Sequence, residues 1–138
     1  MVLRREALDE RIASLRSVVA RLRKAAGRPL DDDWDEWALE RGLQIAAQAV
    51  FDIGNHVLAG AFSSRPKEYA DVAPELARRG VIAEALSARL AGLAGFRNLL
   101  VHDYAAVDPA RVRDLLRARL DDFTDFADAV DAWTANQP

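Results

Sequence analysis

Apolar side chains recur along this chain with a helical step almost everywhere. Leu8, Ile12, Leu15, Val19 and Leu22 are spaced by four and three residues in turn, which draws one stripe along a first helix. Gly27-Arg28-Pro29 ends that helix, because glycine and proline close helical segments. Asp31, Asp32 and Asp33 then offer acceptors and negative charge to the exposed N–H groups of a second helix, predicted over about residues 34–62. Within residues 42–62 a single side chain, Asp52, carries a formal charge. A helix so apolar around its circumference is buried on several sides. Gln44, Gln48, Asp52, Asn55 and His56 interrupt it, so it does not read as a membrane span. A small bundle rarely buries such a helix unaided, and self-association is expected to cover part of it.

Residues 63–71 form the clearest loop. Asp71 is predicted to cap a short helix, with Pro74 in its first turn and Gly80 past its end. A further helix is predicted from about Ile82 into residues 97–104. Asp108-Pro109 reads as the N-cap and first position of a last helix, buried through Val112, Leu116, Phe123, Phe126, Val130 and Trp133. No strand-like alternation, repeat or low-complexity tract stands out. The expected architecture is an all-α bundle of four longer helices with one short helix inserted, in one domain over residues 1–138.

Composition narrows the chemistry. Half of the 138 residues are apolar and 30% are charged, as in a soluble folded protein. Cysteine is absent, which removes a disulfide framework, a thiolate nucleophile and a cysteine metal site. The basic N-terminal stretch lacks the apolar core of a signal peptide, and the cytoplasm is the expected compartment. The net charge of −3 is not that of a general nucleic-acid binder. It is unevenly spread, however: residues 1–28 hold eight basic against three acidic side chains, and residues 121–138 hold five aspartates and no Lys or Arg. Two readings follow. Either both are solvated helix faces, or one end attracts RNA and the other meets a basic partner.

The densest chemistry lies in Arg97-Asn98-Leu99-Leu100-Val101-His102-Asp103-Tyr104. It joins a fixed cation suited to phosphate, a side chain that moves protons near neutral pH, and a phenol. Leu86, Leu90, Leu93, Arg97, Leu100 and Tyr104 fall on one helical row, so Arg97 stands where a core residue belongs. An arginine there needs a ligand or a partner such as Asp52 or Glu40, since breaking a buried pair costs about 3–5 kcal/mol. Arg97 and His102 diverge by about 140° on an ideal helix and cannot both face one phosphate from its middle. Either the helix loosens near His102, or the site combines residues of two protomers. Asn98 and His102 are four apart and can meet on one face. Gln44, Gln48, Asp52 and His56 form a second row at four-residue spacing. That row is either a polar seam with an Asp52–His56 pair, or a cleft wall facing Arg97 in which Asp52 orients Arg97 or His102. No metal-ligand spacing, glycine-rich phosphate loop or nucleophile elbow is present, and no cofactor is expected.

Arg97-Asn98-x-x-x-His102-x-Tyr104 resembles the Arg-x4-His-x-Tyr signature of HepT-type HEPN toxins, in which a polar residue follows the arginine. Glu40-Arg41 with Gln44, Asp52-Ile53 with His56, Pro66 with Tyr69, and Val107-Asp108-Pro109 are similar to that family in order and spacing, from about residue 5 to about 130. The resemblance implies a HEPN-like fold and a homodimeric, metal-independent endoribonuclease toxin. Arg97 and His102 would be its catalytic pair, with Asn98 in support. It also implies a nucleotidyltransferase antitoxin of the MNT type, MntA-like, that silences the toxin by transferring AMP to Tyr104. The other reading of the same residues is a non-catalytic helical module that positions partners or substrates for a nucleotidyltransferase.

Overall fold

The stripe Leu8, Ile12, Leu15, Val19 and Leu22 is buried along α1 (Arg5–Ala26), which packs against α2 (Asp33–Phe62) and, on its other flank, against α7 (Leu120–Ala135). Burying each of those side chains is worth about 2 kcal/mol, so the stripe is enough to anchor the helix. This computed structural model describes residues 3–29, 32–102 and 108–138, and of His102 the backbone alone. Tyr104 and the His102 side chain therefore lie outside the described residues. Among those described, the regular elements are all helical: a 3-10 turn (Tyr69–Asp71), α3 (Val72–Arg78), α4 (Glu84–Arg89), α5 (Leu93–His102) and α6 (Pro109–Ala118) complete the bundle.

Local chemistry sets the helix ends. Asp32 is extended, and its side chain accepts the Asp35 N–H at 2.9 Å, as an N-cap does. Asp108 caps α6 by accepting the Ala110 N–H at 3.0 Å, with Pro109 in the first turn. After α3, Gly80 takes a φ of 77°, and Val81 N–H returns to the Leu76 carbonyl at 2.9 Å. That left-handed residue is why glycine stands there. Asp71 departs from expectation. Its backbone is already helical (φ −88°, ψ −13°), and its side chain caps nothing. The extended residue is Glu68, which leads into the 3-10 turn instead.

Two predicted helices are each broken in two. The one entering residues 97–104 pauses at residues 90–92 between α4 and α5, where Gly92 weakens helix propagation. The last one breaks at Arg119 (φ −123°, ψ 1°). There the side chain is drawn onto Asp122 at 2.6 Å and onto the Arg89 carbonyl. Asp122, itself buried, also receives Arg89 at 3.1 Å, so one carboxylate ties α4 to the α6–α7 junction.

The apolar half of α2 is covered by its own chain: Leu43, Ala46, Ala47, Val50, Phe51, Ile53, Val57 and Leu58 are all buried. The chain itself thus covers most of the helix, and self-association, where it occurs, has only the rest of α2 to cover. What remains outside is a smaller set, with Trp34 73%, Trp37 60% and Ile45 39% exposed. The charge asymmetry resolves in part within the molecule. Arg16 of α1 pairs with Asp128 and Asp131 of α7 at 2.8 and 2.7 Å, and Arg23 pairs with Asp121 at 2.7 Å. Among the described residues, only these two of the eight basic residues pair with the acidic stretch, and the pairs are solvent-exposed, in keeping with solvated helix faces.

Candidate active site

α5 lies against α2 and against the 3-10 turn, so the row carrying Arg97 faces the polar row of α2. On that row within α5, Leu93 is half-buried and Leu100 buried, and Arg97 between them is half-buried; Leu86 and Leu90 are buried as well but lie before the break. Its Nε–H donates to Gln48 Oε1 at 2.7 Å, and Nη1 donates to Asn98 Oδ1 at 3.1 Å. The guanidinium carbon lies 4.7 Å from the centre of the Tyr69 ring, a cation–π distance. Tyr69 stacks on buried Phe51 with 4.9 Å between ring centres, which fixes the ring to the core.

The ion pair considered for Arg97 is not formed. Among the described residues, neither Asp52 nor Glu40 makes a salt bridge to it. Asp52 is one step behind: it accepts Gln48 Nε2–H at 2.9 Å. Glu40 has its carboxyl pushed above the usual range, first by burial and then by the charge of Glu36. The expected Asp52–His56 pair is absent among the described residues, and His56 Nε2 lies 3.3 Å from the Arg4 carbonyl instead. The row is thus a cleft wall at Gln48 and Asp52, but not at His56.

Beside this wall a groove of about 480 Å³ opens between α1 and α2, lined by Arg11, Arg41, Gln44, Gln48 and Asp52 among others. No group of three or more acidic or histidine side chains able to hold a metal ion occurs among the described residues. No helix among them is long and apolar enough to cross a membrane. α5 runs unbroken through His102, so the backbone does not loosen between Arg97 and His102. Asn98, considered as a neighbour of His102, turns its oxygen to Arg97. Sequence reasoning placed Gln48 on the right row without assigning it a contact, and it missed Tyr69 as a support for Arg97. The four-residue spacing signalled the first. No local pattern signals the second, because Tyr69 reaches the site through the α2–α3 connection.

Comparison with known proteins bears on the chain as a whole. The family model described as ribonuclease HepT-like matches residues 8–130. The mRNA nuclease HepT of Shewanella oneidensis is 32% identical over 90 residues, covering 65% of this chain and 68% of that protein. The tRNA nuclease HepT of Aphanizomenon flos-aquae is 34% identical over 73 residues, or 53% of this chain and half of that one. Among solved structures, the tri-AMPylated HEPN toxin of Shewanella oneidensis in complex with an MNT antitoxin superposes with a TM-score of 0.82. It is 26% identical, and 91% of this chain and 96% of that one are covered.

Proposed function

The chain belongs to the ribonuclease HepT-like family, and on that footing we propose that it is a HEPN-type endoribonuclease toxin. It forms a single HEPN-like domain over residues 1–138, acts as a homodimer in the cytoplasm, and cleaves RNA without a metal ion. A nucleotidyltransferase antitoxin of the MNT type silences it by transferring AMP to Tyr104. The observation that carries this reading is the state of Arg97. It is half-buried on a core row, held by the neutral groups of Gln48, Asn98 and Tyr69, and without an acidic partner among the described residues. A cation kept in that state suits an incoming phosphate.

In this mechanism a ribose 2′-oxygen attacks the adjacent phosphorus, and the bond from phosphorus to the 5′-oxygen breaks. The products carry a 2′,3′-cyclic phosphate and a 5′-hydroxyl. His102 takes the 2′-OH proton or delivers one to the departing 5′-oxygen. Arg97 stabilises the charge that builds on the non-bridging oxygens. A second protomer supplies the geometry that one helix cannot. Because α5 is helical through His102, the angle of about 140° to Arg97 stands, and a two-protomer site is the arrangement that relieves it. In silencing, the Tyr104 oxygen attacks the α-phosphorus of ATP held by the antitoxin, pyrophosphate leaves and the phenol proton is lost. The added phosphodiester is an anion that competes with RNA for Arg97.

The test is incubation of the purified chain with transfer RNA and with messenger RNA, with and without a chelator, followed by analysis of the product ends. Cyclic-phosphate ends that form in the chelator and vanish in His102→Ala are expected. Cleavage that persists in His102→Ala, or stops with the chelator, overturns the mechanism. A Tyr104→Phe chain still silenced by modification overturns the role of Tyr104.

A further inference from the structure

We propose that Gln48 and Tyr69 are positioning residues for the reaction. Gln48 holds Arg97 through a neutral amide so that its charge stays available, and Tyr69 fixes the plane in which it is presented. This rests on the nuclease reading above and names residues that the reading itself does not use.

The geometry assigns each guanidinium group a task. Nε–H is occupied by Gln48 at 2.7 Å, and one hydrogen of Nη1 by Asn98 at 3.1 Å. The remaining hydrogens belong to the Nη1–Nη2 end, so a phosphate is received end-on rather than along the Nε side. The Tyr69 ring centre lies 4.7 Å from the guanidinium carbon, close enough to limit how the plane can turn. Phe51 backs that ring at 4.9 Å. Gln48 and the Phe51 that backs Tyr69 leave α2 within one turn of each other, so both supports of Arg97 are referred to the same helix.

The choice of an amide is the informative point. A carboxylate at residue 48 would accept the same Nε–H more strongly. It would also neutralise Arg97 and compete with phosphate for it. The chain instead places the amide in contact and the acid, Asp52, one bond further back. Asp52 accepts from Gln48 Nε2, which turns the amide so that its oxygen, not its NH2, meets Arg97. Glutamate beside Asp52 would set two carboxylates together, but in a chain carrying Asp52→Asn a contact that served folding alone would gain from glutamate at that place. A contact that serves phosphate chemistry would lose.

Gln48→Glu in the full chain carrying Asp52→Asn separates the two. That variant is expected to melt at or above its Asp52→Asn parent. Its kcat on RNA should fall by about tenfold or more while KM changes by less than about threefold, as for loss of transition-state charge stabilisation. Tyr69→Ala should lower kcat by a similar factor, and Tyr69→Phe, which keeps the ring, should regain most of it. A Gln48→Glu chain with the kcat of its Asp52→Asn parent overturns the proposal, as does Tyr69→Phe failing as badly as Tyr69→Ala. A readout independent of cleavage keeps the two readings apart: the Arg97 Nε–H resonance followed during titration with inorganic phosphate. It should move in the wild type and not in Gln48→Glu. No movement in the wild type overturns the positioning proposal, whereas phosphate-induced movement in a chain that cleaves no RNA overturns the nuclease reading and leaves Gln48 and Tyr69 a role in presenting Arg97 to phosphate only.

Discussion

Heterodimers made from one Arg97→Ala chain and one His102→Ala chain should recover activity that neither variant has alone. The reasoning is geometric. α5 is a continuous helix over Leu93–His102, so Arg97 and His102 are five residues apart on a regular spiral. That separation is about 140° around the axis and about 7.5 Å along it. On an ideal helix, two side chains leaving the axis at that angle carry their ends on the order of 15 Å apart, and one phosphate spans far less. In the proposed homodimer, a working site would then take its arginine from one protomer and its histidine from the other across a two-fold axis. In the mixed dimer, one site receives both mutated residues and the other receives both native ones. A heterodimer isolated by two different affinity tags should therefore show about half the wild-type kcat per dimer. The assay is cleavage of an end-labelled RNA, with each homodimeric variant as the baseline. Mixed dimers no more active than their parents would refute the shared site, because a site built within one protomer leaves every mixed dimer with two defective copies.

Four further outcomes follow from the packing. Arg97→Lys keeps the charge but loses the fork that Gln48 and Asn98 hold, so kcat should fall by about 10- to 100-fold with the chain still folded by circular dichroism. Asp122→Ala removes the carboxylate shared by Arg89 and Arg119 and should cost about 3 kcal/mol in urea unfolding, whereas Asp128→Ala, at an exposed pair, should cost under about 1 kcal/mol. Gly95→Ala adds a methyl that meets no described atom within 4 Å in the middle of α5, and should stabilise the chain by about 1 kcal/mol, read as a rise in melting temperature. Glu75 is held below the usual carboxylate range, first by the hydrogen bond from Arg79, against burial, and then by Arg78. A group depressed in the folded state contributes stability above its unfolded value, near 4.5, and loses it as pH falls through the folded one. Glu75→Gln should accordingly flatten the melting-temperature profile below about pH 4.5.

What the sequence made legible was local. The α1 stripe, the Asp32 and Asp108 caps and the Gly80 terminus are each written within a few consecutive residues, and each stands in the fold as read. The out-of-place Arg97 was legible for the same reason, because one helical row determines its phase. Features set by partners far along the chain were not. The break at Arg119 is stabilised by the Arg89 carbonyl and Asp122, and no pattern within the last helix encodes the first of these. Arg16 meets acids 112 and 115 residues away, so two patches that look like separate surfaces in sequence are one interface in space. Asp71 failed as a cap because the preceding 3-10 turn had already wound its backbone. Tyr69 shares this cause: its place over Arg97 depends on how α3 packs on α2.

A chain with a net charge of −3 can still present a phosphate site, because its acids are distributed by the fold and not by the average. Asp121, Asp128 and Asp131 face the arginines of α1, and Asp122 and Asp125 face Arg89 and Arg119. Glu75 is taken by Arg78 and Arg79, and Glu36 by Arg113. In each of these pairs the guanidinium meets a carboxylate directly. Arg97 differs in meeting amides and a ring. The difference is large on the scale of binding. A carboxylate about 4 Å from Arg97 would offset about 4 kcal/mol of its attraction for a phosphate at an effective dielectric constant of 20. Acids in the paired clusters are already compensated by their own arginines. Asp52 is linked to Arg97 only through the Gln48 amide, so among the described residues no carboxylate meets that guanidinium directly. That local field, more than the sign of the whole, decides whether an RNA phosphate is drawn to α5.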